Sequence, residues 1–331
     1  MKAQTKNVIC FCRRIGGTKW LRLFLFILCI CYSNSIFADR WENTQYPTTE
    51  GTEFWVTFMA NAGAKDQDSL NMHFFVYAAA RENAKVTITN PQTNWSDSFE
   101  VRAGEFEISQ TIPLVQAYLE QQEHTYNRGL LIQSTTPISL YATNHKVGFY
   151  DATNILPYTA LQKEYMIQTY MTDEDANEFA IVATEKNQKF KITIKETVIH
   201  DTINNQVYQI KEIINKDINI TLNKGQAYLY RAQSRYGDLS GTQICSTAPF
   251  AMFNGCQGAK IPTGTGANNH LYHQSIPTDM WGKKFLVTPT ASQTTDYIRL
   301  TAAEDNTVIY RNGVELCRLA TGETYQDTLS R

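Results

Sequence analysis

The chain has 331 residues, of which 43% are hydrophobic and 19% are charged. This composition is typical of a folded globular protein, and it excludes a disordered or low-complexity chain. The length is sufficient for two or three domain-sized units.

Residues 1–38 have the organisation of a secretory signal peptide. Six basic residues and no acidic residue precede an apolar segment at 23–31, and small or polar residues then lead to Ala38. The apolar segment is well short of the roughly 20 residues that span a bilayer, so a signal peptide is favoured over a membrane anchor. We therefore expect cleavage after Ala38 and export of the remaining chain.

Removal of the signal peptide changes the charge balance. The segment holds six of the 30 basic residues and none of the 32 acidic residues, so the mature chain carries a net charge of about −8. A chain of this charge has no electrostatic basis for binding nucleic acid or an anionic membrane. No other apolar run approaches spanning length, so we expect no membrane insertion of the mature chain.

Three cysteines remain in the mature chain, namely Cys245, Cys256 and Cys317. An odd number in an exported protein indicates a free thiol or a partner outside the chain. Cys245 and Cys256 lie on successive predicted strands and are candidate disulfide partners. The spacing alone does not establish the geometry of such a bond.

The mature chain contains an internal repeat. Residues 156–167 recur as 276–287 at an offset of 120 residues, and 51–56 is a weaker copy that precedes 162–167 by 111 residues. Repeats of this kind indicate tandem structural units. The resulting division is a signal peptide at 1–38, a linker at 39–50, a first repeat at 51–161, a second repeat at 162–281 and a truncated third repeat at 282–331.

Each copy shows the period-two alternation that is typical of β-strands. The alternation predicts antiparallel strands with one buried face, and a turn containing an asparagine follows each alternating set. The alternating residues are Phe75, Tyr77 and Ala79 in the first copy, Phe179, Ile181 and Ala183 in the second, and Ile298, Leu300 and Ala302 in the third.

Short strands with frequent turns predict an all-β fold. We expect tandem β-sandwich-like repeats of about 111–120 residues, with a β-propeller as the alternative. The third copy covers only 282–331. We therefore expect the chain to be a fragment of a longer protein, in which the strands of this copy find further partners.

The polar clusters do not complete a metal, catalytic or phosphate site. His270 and His273 are closely spaced, but no third zinc ligand is identifiable. The acidic segment 173–178 lacks the glycine and ligand spacing of a calcium loop, so a solvated charged loop is favoured. The glycine-rich segment 263–266 lacks the lysine of a phosphate loop, and Ser240 lacks a nucleophile elbow. We predict no cofactor, no metal and no catalytic residue.

One cluster suggests binding. Tyr228, Tyr230 and Tyr236 surround Arg231 and Arg235 beside a predicted turn. Protein interfaces favour this mixture of tyrosine and arginine, so these residues form a candidate binding surface. The alternative is cross-strand packing within a sheet.

Seven segments in series resemble the N-terminal domain family of the IgG Fc-binding protein, which has secreted, repeat-bearing bacterial members. The resemblance covers nearly the whole chain from about Gly51, although the first copy has Asn144 where the second has Cys256 and lacks the turn of 238–241. The segments are GTEFWVTF (51–58), PISLYATN (137–144), LPYTALQKEY (156–165), EFAIVATEKN (178–187), DLSGTQICSTAPFAMFNG (238–255), DMWGKKFLVTPT (279–290) and YIRLTAAEDNT (297–307).

The resemblance implies a β-rich extracellular domain that serves in binding, adhesion or association with mucus and matrix. It transfers no catalytic motif. We therefore expect a secreted or cell-surface module, located outside the cell or on a bacterial surface, that recognises a glycoprotein or glycan of a host or matrix. The alternatives are a structural repeat of a longer surface polymer and, third, a metal-dependent hydrolase.

The signal-peptide assignment predicts that the mature protein begins near Asp39, because the basic region and the apolar segment both end before it. N-terminal sequencing of protein recovered outside the cytoplasm tests this expectation. Retention of residues 21–30 in the exported protein would contradict it.

Overall fold

A computed structural model describes residues 48–62, 72–170, 175–200, 210–234, 236–261, 268–291 and 294–330. The predicted signal peptide and most of the predicted linker lie outside these residues. The segment from Thr49 to Arg331 forms one compact body. None of the helices in the described segments is long and apolar enough to cross a membrane.

The described residues are almost entirely strands, which confirms the all-β prediction. The first strands are β1 (Glu50–Val56), β2 (Met72–Ala80), β3 (Ala84–Asn90), β4 (Trp95–Val101), β5 (Phe106–Ile108), β6 (His124–Tyr126), β7 (Leu130–Lys146) and β8 (Phe149–Ile155). They are followed by β9 (Glu164–Met166), β10 (Asn177–Ala183), β11 (Gln188–His200), β12 (Ile210–Leu222), β13 (Ala227–Arg231), β14 (Gly237–Asp238), β15 (Gln243–Ser246), β16 (Phe250–Ala259) and β17 (Asn269–Gln274).

The last strands are β18 (Thr295–Thr301), β19 (Thr307–Arg311), β20 (Val314–Leu319) and β21 (Thr324–Ser330). Helical structure in the described segments is limited to α1 (Leu114–Ala117) and to single 3₁₀ turns at Tyr158–Ala160 and Thr278–Met280. Pro113, Pro157 and Pro277 stand immediately before these three turns. A proline there suits the start of a turn, because its fixed φ is compatible with the turn and it has no N–H group to satisfy.

The strands form three antiparallel sheets and two separate pairs. The first sheet has the order β4-β3-β7-β2-β5, with β1 and β8 also paired to β7. Its end strands β4 and β5 approach each other, so this sheet folds over into a nearly closed barrel. The second sheet has the order β17-β16-β10-β13-β6, and the third has the order β12-β11-β15-β9, with β14 paired to β11. The separate pairs are β18-β21 and β19-β20.

The second sheet is buried on both faces. Phe179 and Ile181 of β10 point into a core shared with the third sheet. Ala180 and Val182 of the same strand point into the core of the first sheet. Burial of one large apolar side chain contributes about 1.5–3 kcal/mol, so this doubly covered sheet joins the other two into one body.

The buried face of β2 is the opposite of the predicted one. The structure buries Phe74, Val76 and Ala78, whereas the predicted residues Phe75 and Tyr77 are partly exposed on the opposite face. The sequence MHFFVYAAA carries apolar or aromatic residues on both faces, so alternation alone does not determine which face is buried. In β10 the predicted set is correct, since Phe179, Ile181 and Ala183 are fully buried.

The same strand pairings recur along the chain. In each repetition an alanine at the end of a strand donates its N–H to a carbonyl next to a glycine of positive φ. These contacts join Ala80 to Glu105 (3.2 Å), Ala183 to Gln226 (2.9 Å) and Ala302 to Glu323 (3.0 Å). They make Ala80, Ala183 and Ala302 equivalent. On this basis we propose three units with the boundaries 51–161, 162–281 and 282–331.

A close glycine contact lies at each junction between successive units. The N–H of Gly129 in the first unit donates to the carbonyl oxygen of Gly225 in the second, at 3.0 Å. Gly241 of the second unit lies against the backbone of Gly322 in the third, while its own N–H donates to the carbonyl oxygen of Ile167. A side chain at Gly241 would overlap with the carbonyl oxygen of Gly322, so each junction requires a residue without a Cβ.

We predict that Gly241→Ala lowers the free energy of unfolding by about 2–4 kcal/mol, because it adds overlap at the junction to the strain of positive φ. The matched control is Gly148→Ala, since Gly148 has a similar φ (+86 against +90) and a Cβ added there would meet no atom within 4 Å. The control should lose only about 1–2 kcal/mol. Urea unfolding measures both values, and equal losses would contradict the proposed junction.

Candidate functional site

The outer face of the first sheet carries exposed aromatic side chains. We call it the aromatic face and define it by Phe75 and Tyr77 on β2, Phe106 on β5, Tyr141 on β7 and Tyr150 on β8. Phe106 is 71% exposed, Tyr150 is 56% exposed and Tyr141 is 45% exposed. Exposed apolar surface in a continuous patch indicates an interaction site.

Strand register places these side chains together. Tyr77 lies opposite Tyr141 on the neighbouring strand, and Ala79 lies opposite Phe106 on the other side. Residues directly opposite each other in an antiparallel pair point to the same face of the sheet. The aromatic face therefore extends across four strands, from β5 through β2 and β7 to β8.

Two histidines extend the row of rings. The ring centroids of His73 and Phe75 are 6.1 Å apart, those of His73 and His145 are 6.0 Å apart, and those of His145 and Tyr150 are 5.7 Å apart. These contacts cross β2, β7 and β8. They align amphipathic rings that combine a flat apolar surface with polar edges.

The corresponding face of the second unit is covered. By strand pairing, Phe106, Ile108 and Tyr141 of the first unit are equivalent to buried residues of the second sheet. Those residues, Ala227, Leu229 and Phe253, are fully buried against the first unit. The same kind of sheet face is thus a packing surface in the second unit and an exposed surface in the first.

A flat row of rings is suited to recognition. Aromatic side chains contribute large contact areas at the centre of interfaces, and their faces also stack on flat apolar surfaces of ligands. The sequence prediction missed this face because it assigned Phe75 and Tyr77 to the core. The available signal was the run 74–77, which places large apolar or aromatic side chains on both faces of β2, since such a strand needs a second partner.

The structure places the predicted binding cluster mainly inside the protein. Tyr228 and Tyr230 are 4% and 0% exposed, and Tyr230 stacks on Phe179 with ring centroids 5.3 Å apart. They pack in the core between the second and third sheets, so the alternative of packing within the sheet describes them. Tyr236 is partly buried, and Arg235 lies outside the described residues.

Arg231 of the same cluster serves a buried acid. Its Nε donates to Oε2 of Glu178 at 3.2 Å, and its Nη2 donates to the carbonyl oxygen of Glu120 at 3.0 Å. Glu178 is fully buried, and burial raises the pKa of its carboxyl group to about 8, against the opposing effect of Arg231. The prediction of a solvated acidic loop is therefore wrong at Glu178, while residues 171–174 lie outside the described segments.

The two candidate disulfide partners lie in different sheets. Cys245 is an exposed free thiol on β15, and Cys256 is a buried free thiol on β16. The Sγ atom of Cys256 donates to carbonyl oxygens, including that of Gly258 at 3.2 Å. Burial raises the pKa of this thiol to about 12, so it is an unreactive packing group. The structure therefore does not bring the two sulfurs together.

The two histidines considered as zinc ligands point away from each other. His270 is buried, whereas His273 is exposed on the opposite face of β17, because residues three apart on a strand alternate faces. Among the residues that the structure describes, no group of three or more His, Cys, Asp or Glu is arranged to hold a metal ion. Ser240 lies in a turn, where its Oγ donates to the carbonyl oxygen of Thr169 at 3.0 Å. Residues 263–266 lie outside the described part of the chain.

The described residues thus form an all-β protein of packed sheets with an exposed aromatic face. A family profile described as "IgGFc binding protein" matches residues 151–331, which is more than half of the chain. The chain belongs to this family. A human relative named "IgGFc-binding protein" is 27% identical over 236 residues, which cover 70% of this chain and 4% of the human protein.

The human match bears on two expectations. It supports the resemblance to the IgG Fc-binding family, but an assignment to bacterial members in particular is not borne out. The chain spans only a small part of the relative's length.

His270 makes stability depend on pH. Its Nδ1 contacts the carbonyl oxygen of Gln257 at 3.3 Å, and burial lowers the pKa of its imidazole to about 4. The unfolded chain binds a proton near pH 6.5, whereas the folded chain does not until about pH 4. Protonation of this group should therefore lower the free energy of unfolding by about 3 kcal/mol as the pH drops from about 6.5 to about 4.

The measurement is urea unfolding at several pH values between 4 and 7, for the wild type and for His270→Gln. The variant removes the titrating group, so its stability should fall less steeply with acidification. Other groups titrate equally in both proteins and cancel in the difference. Identical pH slopes would show that His270 is not buried in its neutral form.

Proposed function

We propose that the chain is an extracellular, non-catalytic binding module that recognises a glycoprotein through the aromatic face. The observation that carries the proposal is the row of exposed rings on the first sheet of a protein in the IgGFc-binding family. The predicted signal peptide supports an extracellular location. The negative charge of the mature chain favours apolar contacts over attraction to anionic partners.

The aromatic face fits this role in geometry and chemistry. It crosses four paired strands of one sheet, so its backbone is ordered before a ligand binds, which reduces the conformational entropy lost on binding. Phe106 and Ile108 provide an apolar edge, and the tyrosine and histidine rings provide polar edges. Such a surface accepts the apolar face of a sugar ring or an apolar protein patch with hydrogen-bonding neighbours.

The name of the human relative suggests a first ligand. That protein is called an IgGFc-binding protein, so we propose the Fc fragment of human IgG as the first probe, in its glycosylated and deglycosylated forms. A purified mucin is the second probe, because association with mucus is the other role that the family resemblance implies. Comparison of the two Fc forms shows whether the contact depends on the glycan.

A structural role in a longer surface polymer is the second candidate. The glycine contacts at Gly129 and Gly241 support it, because each brings the backbone of one unit close to that of the next. Stacked repeats of this kind contact mainly their neighbours and form extended bodies. This candidate predicts no discrete ligand for the aromatic face.

We expect the double variant Phe106→Ser, Tyr141→Ser to weaken binding of the recognised probe at least about tenfold, because two exposed contact residues are removed. The matched control is Val115→Ser with Val314→Ser, since these residues are 65% and 64% exposed and belong to α1 and β20, which are not part of the face. Biolayer interferometry with the full chain measures the affinities, and circular dichroism checks the fold.

Two results would count against the proposal. Equal affinities of the double variant and the wild type would show that the aromatic face is not the binding site. If the wild-type chain binds neither Fc form nor mucin, the proposal that it recognises these glycoproteins is wrong. The structural role would then be favoured.

A further inference from the structure

Two histidines lie directly opposite each other on neighbouring strands of the first sheet. His73 of β2 pairs in register with His145 of β7, and both side chains are partly exposed. Residues that face each other in an antiparallel pair project from the same side of the sheet, with Cβ atoms about 4.5–5.5 Å apart. The two strands therefore present two imidazole rings side by side, next to the aromatic face. We call these two residues the histidine pair.

The separation of the two rings suits a shared metal ion. Their centroids are 6.0 Å apart, and their planes are inclined to each other by 43°. Two imidazoles that bind one tetrahedral zinc ion at metal–nitrogen distances of about 2.0–2.1 Å have their centroids roughly 5 Å apart. A change of side-chain torsion is enough to close the difference, because neither ring is locked inside the core.

The ring nitrogens of the histidine pair are available to a metal. In the segments that the structure describes, neither imidazole makes a hydrogen bond or an ion pair, and both contact other rings instead. The neighbouring cation Lys146 is buried on the opposite face of the sheet, where its Nζ donates to the carbonyl oxygen of Ala62 at 3.0 Å. Because a neutral imidazole binds a metal through the lone pair of a ring nitrogen, each histidine keeps a donor atom free for one.

Aromatic neighbours hold the two imidazoles in place. His73 lies against Phe75 with ring centroids 6.1 Å apart, and His145 lies against Tyr150 with ring centroids 5.7 Å apart. The backbone of Tyr150 is itself fixed, because its N–H donates to Oδ1 of Asn269 at 2.9 Å. Rings that are oriented before a metal ion binds lose less conformational entropy when it does. The stacking thus supports a preformed pair of ligands.

The strand pairing itself does not require imidazoles at these positions. The equivalence of Ala80 and Ala183 gives the corresponding positions of the second sheet, which are Ala176 and Gln257. There the N–H of Gln257 donates to the carbonyl oxygen of Ala176 at 3.4 Å. Neither alanine nor glutamine is a usual zinc ligand. The two histidines are therefore a property of the first unit, added to a pairing that the second unit makes without them.

We propose that His73 and His145 together bind one divalent transition-metal ion such as zinc, held between β2 and β7. Imidazole nitrogens are preferred ligands of zinc, whereas calcium and magnesium prefer oxygen ligands. Two protein ligands leave the other coordination positions to water, so the ion remains open to a donor atom from outside the chain.

This site differs from the one considered in the sequence. The expectation of no metal was based on histidines close together in the chain, whereas His73 and His145 are far apart in the sequence and meet only through strand pairing. The inference rests on the geometry of the histidine pair, so it does not depend on the proposed function.

The test is a calorimetric titration of the full chain with zinc chloride. We expect saturable binding, and we expect His73→Ala and His145→Ala each to weaken it at least about tenfold, because one imidazole cannot chelate the ion. The matched control is His124→Ala, since His124 is an exposed histidine on β6 with no histidine opposite it. A second control, Cys245→Ser, removes the exposed thiol. Both controls should bind zinc within about twofold of the wild type.

Thermal unfolding provides a second measurement. An ion that binds the folded chain and not the unfolded chain raises the unfolding temperature. Saturating zinc should therefore raise it in the wild type and in His124→Ala, but not in His73→Ala or His145→Ala, and calcium should raise it in none of them. Circular dichroism without zinc checks that the variants fold. Absence of zinc binding by the wild type, or unchanged zinc affinity in both variants of the histidine pair, would overturn the proposal.

Discussion

The architecture depends on one sheet that is covered on both sides. Strands β10, β13 and β16 contribute one set of apolar side chains to the core of the first sheet and the alternate set to the core of the third. A strand apolar on both faces is stable only between two layers. This constraint explains why the described sheets form one compact body, and it provides the support on which the aromatic face is held.

The sequence predicted the presence of β-strands better than it predicted which face of each strand is buried. Alternation at Phe179, Ile181 and Ala183 correctly predicted the strand and the face that packs on the third sheet, but not that the opposite face is buried as well. At β2 the same reasoning chose the wrong face, since its sequence carries apolar or aromatic residues on both faces. For a related reason the sequence left Tyr228 and Tyr230 open between a binding surface and packing within a sheet. A local pattern does not show how many layers will cover a strand.

The exposure of the proposed binding surface follows from the position of a unit in the stack. The sheet face that packs on a preceding unit in the second repeat is exposed in the first, and there it carries larger rings, as shown by Phe106 and Tyr141 in place of Ala227 and Phe253. Membership of the IgGFc-binding family and the exposed rings both indicate binding. The polar groups that could have suggested chemistry, such as Glu178 and His270, are buried structural groups.

Native-state hydrogen exchange tests the central claim most directly. If the second sheet unites the others, the amides of β10, β13 and β16 should exchange most slowly, and only through global unfolding, while β18 to β21 exchange faster through local opening. The denaturant dependence of each amide separates the two routes. The contradicting result would be independent unfolding of the first and third sheets, with the amides of β10 exchanging in the same opening reaction as one of them. The second sheet would then not hold the other two in a single body.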